Sequence, residues 1–199
     1  MIKMILTDRL HKYFENEFNL SEVDSAKLKY SLEIIIGDFS KLLILFILFS
    51  ILGSRTDFIY SSLALLMIRL FTGGLHFKTY AGCIIFSGIF FYTSIFLKTH
   101  IPLNFKIAII LFIFSLLTVV LFAPICGKSR PTYSHRKRQQ FKLASTILMF
   151  IHFSLYFFTN KNPYFTSSVW VITLQAFQIL IAKGVMLYEN HKFSFKKTI

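Results

Sequence analysis

Apolar and polar positions follow two different patterns along this chain. In residues 1–32, apolar side chains recur every three to four positions with charged residues between them, which is typical of an amphipathic helix. Such a helix can lie on a membrane surface or on a helical bundle. The stretch 19–22 favours a helix restart. The apolar positions of the first helix are Ile2, Ile5, Leu6, Leu10, Tyr13 and Phe14.

Beyond this segment the apolar stretches are long and nearly continuous, and they predict about six hydrophobic segments. The second segment is shorter than the roughly 20 residues of a full crossing, so it either extends to Gly74 or re-enters the membrane. Asp38 and Lys41 lie inside the first segment, three residues apart, and can meet on one helix face. The segments are 33–52, 58–71, 79–97, 105–123, 143–159 and 165–187.

Composition supports this interpretation. The 199 residues are 55% hydrophobic, and the mean hydropathy is +0.62. A soluble domain of this size could not bury so much apolar surface, so the sequence predicts an all-α, polytopic integral membrane bundle. We expect a cytoplasmic segment 1–32, a transmembrane domain 33–187 and a basic cytoplasmic tail 188–199.

The net charge of +13 could suggest nucleic acid as a partner, but the hydropathy argues against it. In membrane proteins Lys and Arg concentrate in cytoplasmic loops, where they face anionic lipid of the bilayer or acidic peptides. The predicted loop 124–142 contains no acidic residue and is therefore expected to be cytoplasmic. Its basic residues are Lys128, Arg130, Arg136, Lys137, Arg138 and Lys142.

The predicted spans place the stretch 69–83 on the same cytoplasmic side as this basic loop. Six full crossings put both termini there as well. If the second segment re-enters, only the N-terminus moves to the outer side.

The stretch 69–83 gathers the residues that a reactive site needs. Cys83 would be a nucleophile only as a thiolate, and His76 would be the base that activates it. In one continuous helix the two would stand ~10 Å apart along the axis, too far for a hydrogen bond. The glycine pair 73–74 disfavours such a helix. If a new helix begins at Thr79, His76 lies on the preceding loop.

In that arrangement Cys83 lies near the first helical turn, where unpaired N–H groups favour a thiolate and lower a thiol pKa. Lys78 and Arg69 add positive potential. The alternative is a purely structural role, in which Cys83 is a small buried side chain and His76 only forms a hydrogen bond.

Cys126 is a rival nucleophile, in a loop beside Lys128 and Arg130. Two cysteines give neither a disulfide framework nor a CxxC pair. The other histidines show no metal-ligand spacing. We therefore expect no metal and no cofactor.

The arrangement Arg69…Gly73-Gly74-Leu75-His76…Cys83 resembles the R-x3-GG-x-H-x6-C pattern of the AgrB family, the accessory gene regulator protein B peptidases of bacterial membranes. Ala123-Pro124…Arg130-Pro131 resembles the family's A-P…[K/R]-P stretch, which also leads into a charged loop. The segment 27–33 resembles the family's stretch before its first span, although Ser31 stands where glycine is usual. The resemblance covers most of the chain.

The resemblance implies a membrane cysteine endopeptidase of the bacterial cytoplasmic membrane, with its site on the cytoplasmic side. It would cleave a quorum-sensing precursor peptide, with Cys83 as nucleophile and His76 as general base. The acyl group would rest on Cys83 as a thioester until a Cys or Ser of the precursor attacks it. The product would be a thiolactone or lactone ring.

Precursors in this family have an amphipathic leader and an acidic C-terminal tail, which the loop 124–142 would suit electrostatically. The loop is equally well explained as a topology signal alone. Arg69 could stabilise an oxyanion, bind substrate or anchor a helix end. A homodimer is implied by the resemblance only.

Two hypotheses from other classes stand beside the peptidase. A small peptide exporter without covalent chemistry predicts that Cys83→Ala leaves function largely intact. A structural subunit predicts tolerance at both His76 and Cys83. The sequence shows no convincing inverted repeat of the kind common in transporters.

Overall fold

The computed structural model describes residues 2–18, 20–75, 79–125, 133–159 and 162–196. Five helices are long and apolar enough to cross a membrane, namely the second, fourth, fifth, sixth and seventh. The predicted all-α, polytopic membrane fold is confirmed. The helices in the described ranges are α1 (Ile2–Phe18), α2 (Glu22–Ile51), α3 (Arg55–Thr72), α4 (Tyr80–His100), α5 (Phe105–Phe122), α6 (His135–Phe158) and α7 (Pro163–Lys196).

Helices α1 and α2 belong to one compact unit, Met1–Gly53. The predicted helix restart is confirmed, because α2 begins at Glu22 and the Ser21 hydroxyl accepts a hydrogen bond of 3.3 Å from the Asp24 N–H. The helix then continues without a break to Ile51. The predicted first span is therefore the later part of a longer helix.

The contact between α1 and α2 is polar. Ser25 donates to the Glu15 carboxylate at 2.6 Å, and His11 Nε2 lies 2.9 Å from the same hydroxyl. Lys29 and Asp8 add an ion pair of 3.1 Å. Tyr13 is 62% exposed, so α1 directs polar groups toward α2 and leaves this apolar ring outside. Within α2, Lys41 and Asp38 form the predicted pair at 2.5 Å.

The second unit, Ser54–Ile199, contains the other five helices. Helix α7 contacts α3, α4, α5 and α6, and it is the most buried of the five long apolar helices. Fully buried side chains of α7, among them Ile172 and Ile179, share one apolar core with Met149 and Phe153 of α6. Helix α7 is the central element against which the others pack.

At one end of the second unit, Asp57 of α3 accepts hydrogen bonds from Lys98 of α4 and from Ser167 of α7. Nearby, the buried hydroxyl of Tyr156 donates to the carbonyl oxygen of Leu103 at 2.7 Å. The residues that follow the C-terminal ends of α3 and α5 meet at the other end.

Helix α3 has 18 residues and is about 27 Å long at 1.5 Å per residue, slightly less than a hydrocarbon core of about 30 Å. It is the predicted short segment. It ends at Thr72, where Gly73 takes φ +72°.

Helix α6 begins earlier than the sequence predicts, at His135 rather than at 143. The Ser134 hydroxyl caps it by accepting a hydrogen bond of 3.4 Å from the Lys137 N–H. Arg, Lys and Gln are good helix formers, so this stretch is helical although its many positive charges suggested a loop. Arg136, Lys137 and Arg138 thus lie on a helix and not in the predicted loop. In the same way, α7 continues through Lys196 into the predicted tail.

Candidate active site

Cys83 lies in the first turn of α4. Thr79 has extended backbone angles and its hydroxyl accepts a hydrogen bond of 3.1 Å from the Gly82 N–H. The Cys83 N–H donates to the Thr79 carbonyl oxygen at 3.1 Å. The predicted helix start at Thr79 is therefore confirmed. Cys83 is half-buried and is a thiol rather than half of a disulfide.

The glycine pair ends α3, and at Gly73 it does so through a backbone contact that a side chain would not allow. A Cβ on Gly73 would lie 2.2 Å from the Ile125 carbonyl oxygen, and φ +72° is a conformation that favours glycine. A Cβ on Gly74 would lie 3.3 Å from Gln178 Oε1 and 3.5 Å from Arg69 Cζ. Both positions thus let backbone approach neighbouring groups closely.

Arg69, in the last turn of α3, holds the backbone that follows the glycine pair. Its Nη2 donates to the Leu75 carbonyl oxygen at 2.7 Å, and its Nη1 donates to Gln178 Oε1 at 3.4 Å. Among the roles considered for Arg69, these contacts favour an anchoring role. Leu75 immediately precedes His76 in the chain.

Two amides that sequence reasoning missed support the same segment from α7. Gln175 Nε2 donates to the Gly73 carbonyl oxygen at 2.8 Å and to the Thr72 hydroxyl at 3.2 Å. Gln175 and Gln178 are only 1% and 2% exposed, and they are one helical turn apart. The sequence does contain a signal for these two residues: they are polar side chains inside a long apolar span, and polar groups there are usually functional.

The segment after α5 pairs with the segment after α3. The Ile125 N–H donates to the Thr72 carbonyl oxygen at 2.9 Å, and Gly73 and Ile125 form an isolated parallel bridge. Pro124, which precedes Ile125, follows a cis peptide bond from Ala123. The structure thus brings the R…GG stretch and the A-P stretch together, although they are far apart in sequence.

A cavity of 210 Å³ lies beside this pairing. It receives Arg138 from α6 and Lys183 from α7, and none of its described lining residues is acidic, so these residues make it electropositive. Lys137 lies over the ring of Tyr133, 5.4 Å from its centroid, and Arg136 is exposed. The cavity is lined by Phe122, Pro124, Ile125, Tyr133, Arg138, Lys183 and Met186.

Several predicted site residues lie outside the described residues, and the His76–Cys83 pair therefore stays a prediction. In the ranges that are described, no three His, Cys, Asp or Glu side chains are grouped so that they could hold a metal ion. The predicted residues outside the described ranges are His76, Lys78, Cys126, Lys128, Arg130 and Pro131.

Comparison with known proteins gives a consistent result. Residues 7–179 match the family described as Accessory gene regulator B. An AgrB-like protein of Clostridium beijerinckii is 33% identical over 202 residues, covering 100% of both chains. Accessory gene regulator protein B of Staphylococcus aureus (strain bovine RF122 / ET3-1) is 27% identical over 62% of this chain and 66% of its own length.

An AgrB-like protein of Listeria innocua is 31% identical over 61% of this chain and 59% of its own length. No solved structure matches the chain. The family match covers most of the chain, including the R…GG, His76, Cys83 and A-P positions. On this basis the chain belongs to the accessory gene regulator B family.

Proposed function

We propose that the chain is a membrane cysteine endopeptidase that cleaves a quorum-sensing precursor peptide and promotes its cyclisation. The observation that carries the proposal is the position of Cys83 in the first turn of α4, directly after the cap at Thr79. Catalytic cysteines are typically partly exposed and lie in electropositive surroundings such as the N-terminal end of a helix, and Cys83 is half-buried at such an end. Membership of the accessory gene regulator B family supports the same function.

The chemistry is an acyl transfer in two steps. His76 removes the proton of Cys83, and the thiolate attacks the scissile carbonyl carbon. The C–N bond breaks, the leaving amine takes the proton from His76, and a thioester remains on Cys83. A side-chain thiol or hydroxyl of the bound precursor then attacks the thioester, loses its proton to the base and releases the Cys83 thiolate. The product is a thiolactone or lactone ring.

Cyclisation instead of hydrolysis requires that water is kept away and that the internal nucleophile is held near the thioester. Apolar helices around the site suit the first requirement, because five of them have the length and composition of membrane spans. We propose the bacterial cytoplasmic membrane as the location, with the site on the cytoplasmic side. The bilayer is then a partner of the protein, and a homodimer is proposed from the family resemblance.

The proposed substrate has an amphipathic leader and an acidic C-terminal tail. Arg136, Lys137 and Arg138, on the first turns of α6, supply positive charge that suits this tail. Arg138 also lines the electropositive cavity beside Ile125. The tail is the leaving group in the first step, so charge near this end of the bundle would bind it without taking part in bond breaking.

The test is to reconstitute the protein in lipid with a precursor peptide and to search by mass spectrometry for an acyl adduct. We expect an adduct on Cys83 that hydroxylamine removes, as a thioester requires. Cys83→Ser and His76→Ala should abolish cleavage, and the matched variant Cys126→Ser should retain it. An adduct on Cys126 would identify Cys126 as the nucleophile instead of Cys83. Cleavage retained in Cys83→Ala would refute the mechanism.

A further inference from the structure

Two buried amides on α7 are joined to the segment between α3 and α4. Gln175 bonds the Gly73 carbonyl oxygen directly. Gln178 bonds Arg69, which in turn bonds the Leu75 carbonyl oxygen. Buried polar side chains are retained where they are hydrogen-bonded, and removing such a partner is costly in a membrane span. The two carbonyl groups held in this way lie just ahead of His76.

The two amides have opposite hydrogen-bonding roles, since one donates and the other accepts. Gln175 acts through its NH2 group as a donor, at 2.8 Å from Gly73 O and 3.2 Å from Thr72 Oγ1. Gln178 acts through its oxygen as an acceptor, at 3.4 Å from Arg69 Nη1. The other half of each amide, Gln175 Oε1 and Gln178 Nε2, has no hydrogen-bond partner in the part of the chain that the structure describes.

The surroundings fix these orientations. Carbonyl oxygens only accept hydrogen bonds, so the atom of Gln175 that faces Gly73 O must be its nitrogen. A guanidinium only donates, so the atom of Gln178 that faces Arg69 must be its oxygen. Gly74 lies close to both groups, since a Cβ there would lie 3.3 Å from Gln178 Oε1, a tight contact, and 3.5 Å from Arg69 Cζ, an ordinary one.

We propose that Gln175 and Gln178 are positioning residues that fix the backbone leading into His76, Gln175 as a donor and Gln178 as an acceptor. The evidence that the two amides anchor this backbone is the set of hydrogen bonds to Gly73, Arg69 and Leu75. Its effect on a reaction rests on the proposed function, because that function makes His76 the base. Neither amide takes part in bond making.

The test uses the same isosteric change at both positions. A carboxylate accepts hydrogen bonds but cannot donate them. Gln178→Glu keeps the acceptor for Arg69, so we expect kcat within about threefold of the parent. Where its carboxyl group is ionised, Gln175→Glu loses the donor and places an oxygen against Gly73 O, so we expect kcat to fall about tenfold or more at high pH. KM should stay within about twofold in both variants, since the anchor acts on the base and not on the substrate.

The pH dependence of the variants separates loss of a donor from a general packing defect. A protonated carboxyl group can donate, so the rate of Gln175→Glu relative to the parent should rise as pH is lowered. Gln175→Met has similar length but neither donor nor charge, and its relative rate should stay low at every pH. A relative rate of Gln175→Glu that stays as low as that of Gln175→Met at every pH would contradict the donor role of Gln175.

A readout without substrate keeps this inference separate from the proposed function. Hydrogen exchange of the segment 73–79 should be faster in Gln175→Met at every pH, faster in Gln175→Glu at the pH where its carboxyl group is ionised, and unchanged in Gln178→Glu. If hydrogen exchange changes as expected but neither the parent nor any variant cleaves a precursor, the anchoring role of Gln175 is supported and the proposed function is refuted. Equal losses in Gln175→Glu and Gln178→Glu, or a raised KM in Gln178→Glu, would overturn the inference.

Discussion

The main-chain N–H of Ile125 donates a hydrogen bond of 2.9 Å to the carbonyl oxygen of Thr72. This bond joins the residue that ends α3 to the residues that follow α5. It also places the Ile125 carbonyl oxygen where a side chain on Gly73 would stand. The shape of the candidate site therefore depends on backbone groups that approach each other without any side chain between them.

Gly73→Ala should impair both stability and cleavage. The new Cβ would lie 2.2 Å from the Ile125 carbonyl oxygen, and a positive φ costs a non-glycine residue about 1–2 kcal/mol in addition. Gly53→Ala is the matched control, because Gly53 has the same φ of +72° but nothing within 4 Å of an added Cβ. Thermal midpoints in lipid and cleavage rates would be compared. Similar effects of the two substitutions would show that the contact with Ile125 is unimportant.

Arg69→Lys should reduce cleavage by about tenfold or more although it keeps the charge. A lysine ammonium lacks the planar fork with which Arg69 reaches Leu75 O and Gln178 Oε1 together. Cleavage rates and hydrogen exchange of the segment 73–79 would be measured. Arg55→Lys, at the exposed start of α3, is the control for a general loss of guanidinium. Full activity in Arg69→Lys would indicate that only positive charge matters.

Arg138→Gln should weaken binding of a precursor with an acidic tail and reduce the dependence of binding on salt. Attraction between exposed charges is screened over about 10 Å at 0.1 M salt, so loss of one cation from the electropositive cavity removes part of that dependence.

Lys106→Gln is the control for Arg138→Gln, since Lys106 is an exposed cation in the first turn of α5, at the other end of that helix. The measurement is precursor affinity at two salt concentrations. An unchanged affinity in Arg138→Gln would leave this positive charge as a topology signal alone.

Asp57→Asn should lower stability with little effect on the reaction. Asp57 accepts from Lys98 and Ser167 and so ties α3 to α4 and α7. Lys98 and Asp57 are 17% and 21% exposed, and loss of a charged acceptor there should cost about 1–3 kcal/mol.

Asp8→Asn is the control for Asp57→Asn. Asp8 is 50% exposed in its pair with Lys29, in the predicted cytoplasmic segment, and water-exposed pairs contribute about 0–1 kcal/mol. Thermal midpoints in lipid would be compared between the two variants. A larger loss of stability in Asp8→Asn than in Asp57→Asn would contradict this expectation.

Local signals in the sequence predicted local structure well. Thr79 is a good N-cap and Gly73 a good helix end, and each acts as its residue type suggests. The restart of a helix at Glu22 follows from Ser21 in the same way. The loop predicted over 124–142 is wrong for residues 135–142, because Arg136–Arg138 have good helix propensity and their charge alone does not break a helix.

Contacts between distant segments could not be predicted from patterns in one sequence. Nothing local to Ile125 indicates that its N–H will reach Thr72, and nothing local to Gln175 indicates which carbonyl group it will bond. Two amides in an apolar span are a signal of a polar role, but the sequence predictions did not include Gln175 or Gln178. Their partners depend on how α7 packs against α3, which is a property of the whole fold.

The parallel bridge between Gly73 and Ile125 has a consequence for chain length. The segments on either side of it are held in one register. An extra residue between Thr72 and Gly73 would shift Gly73 away from Ile125 and Leu75 away from Arg69, and one between Gly73 and Leu75 would shift Leu75 away from Arg69. Insertions and deletions should therefore be excluded from 72–75 and from 123–125. Variation in length among relatives should instead fall at the opposite end of the second unit, in the turn between α6 and α7.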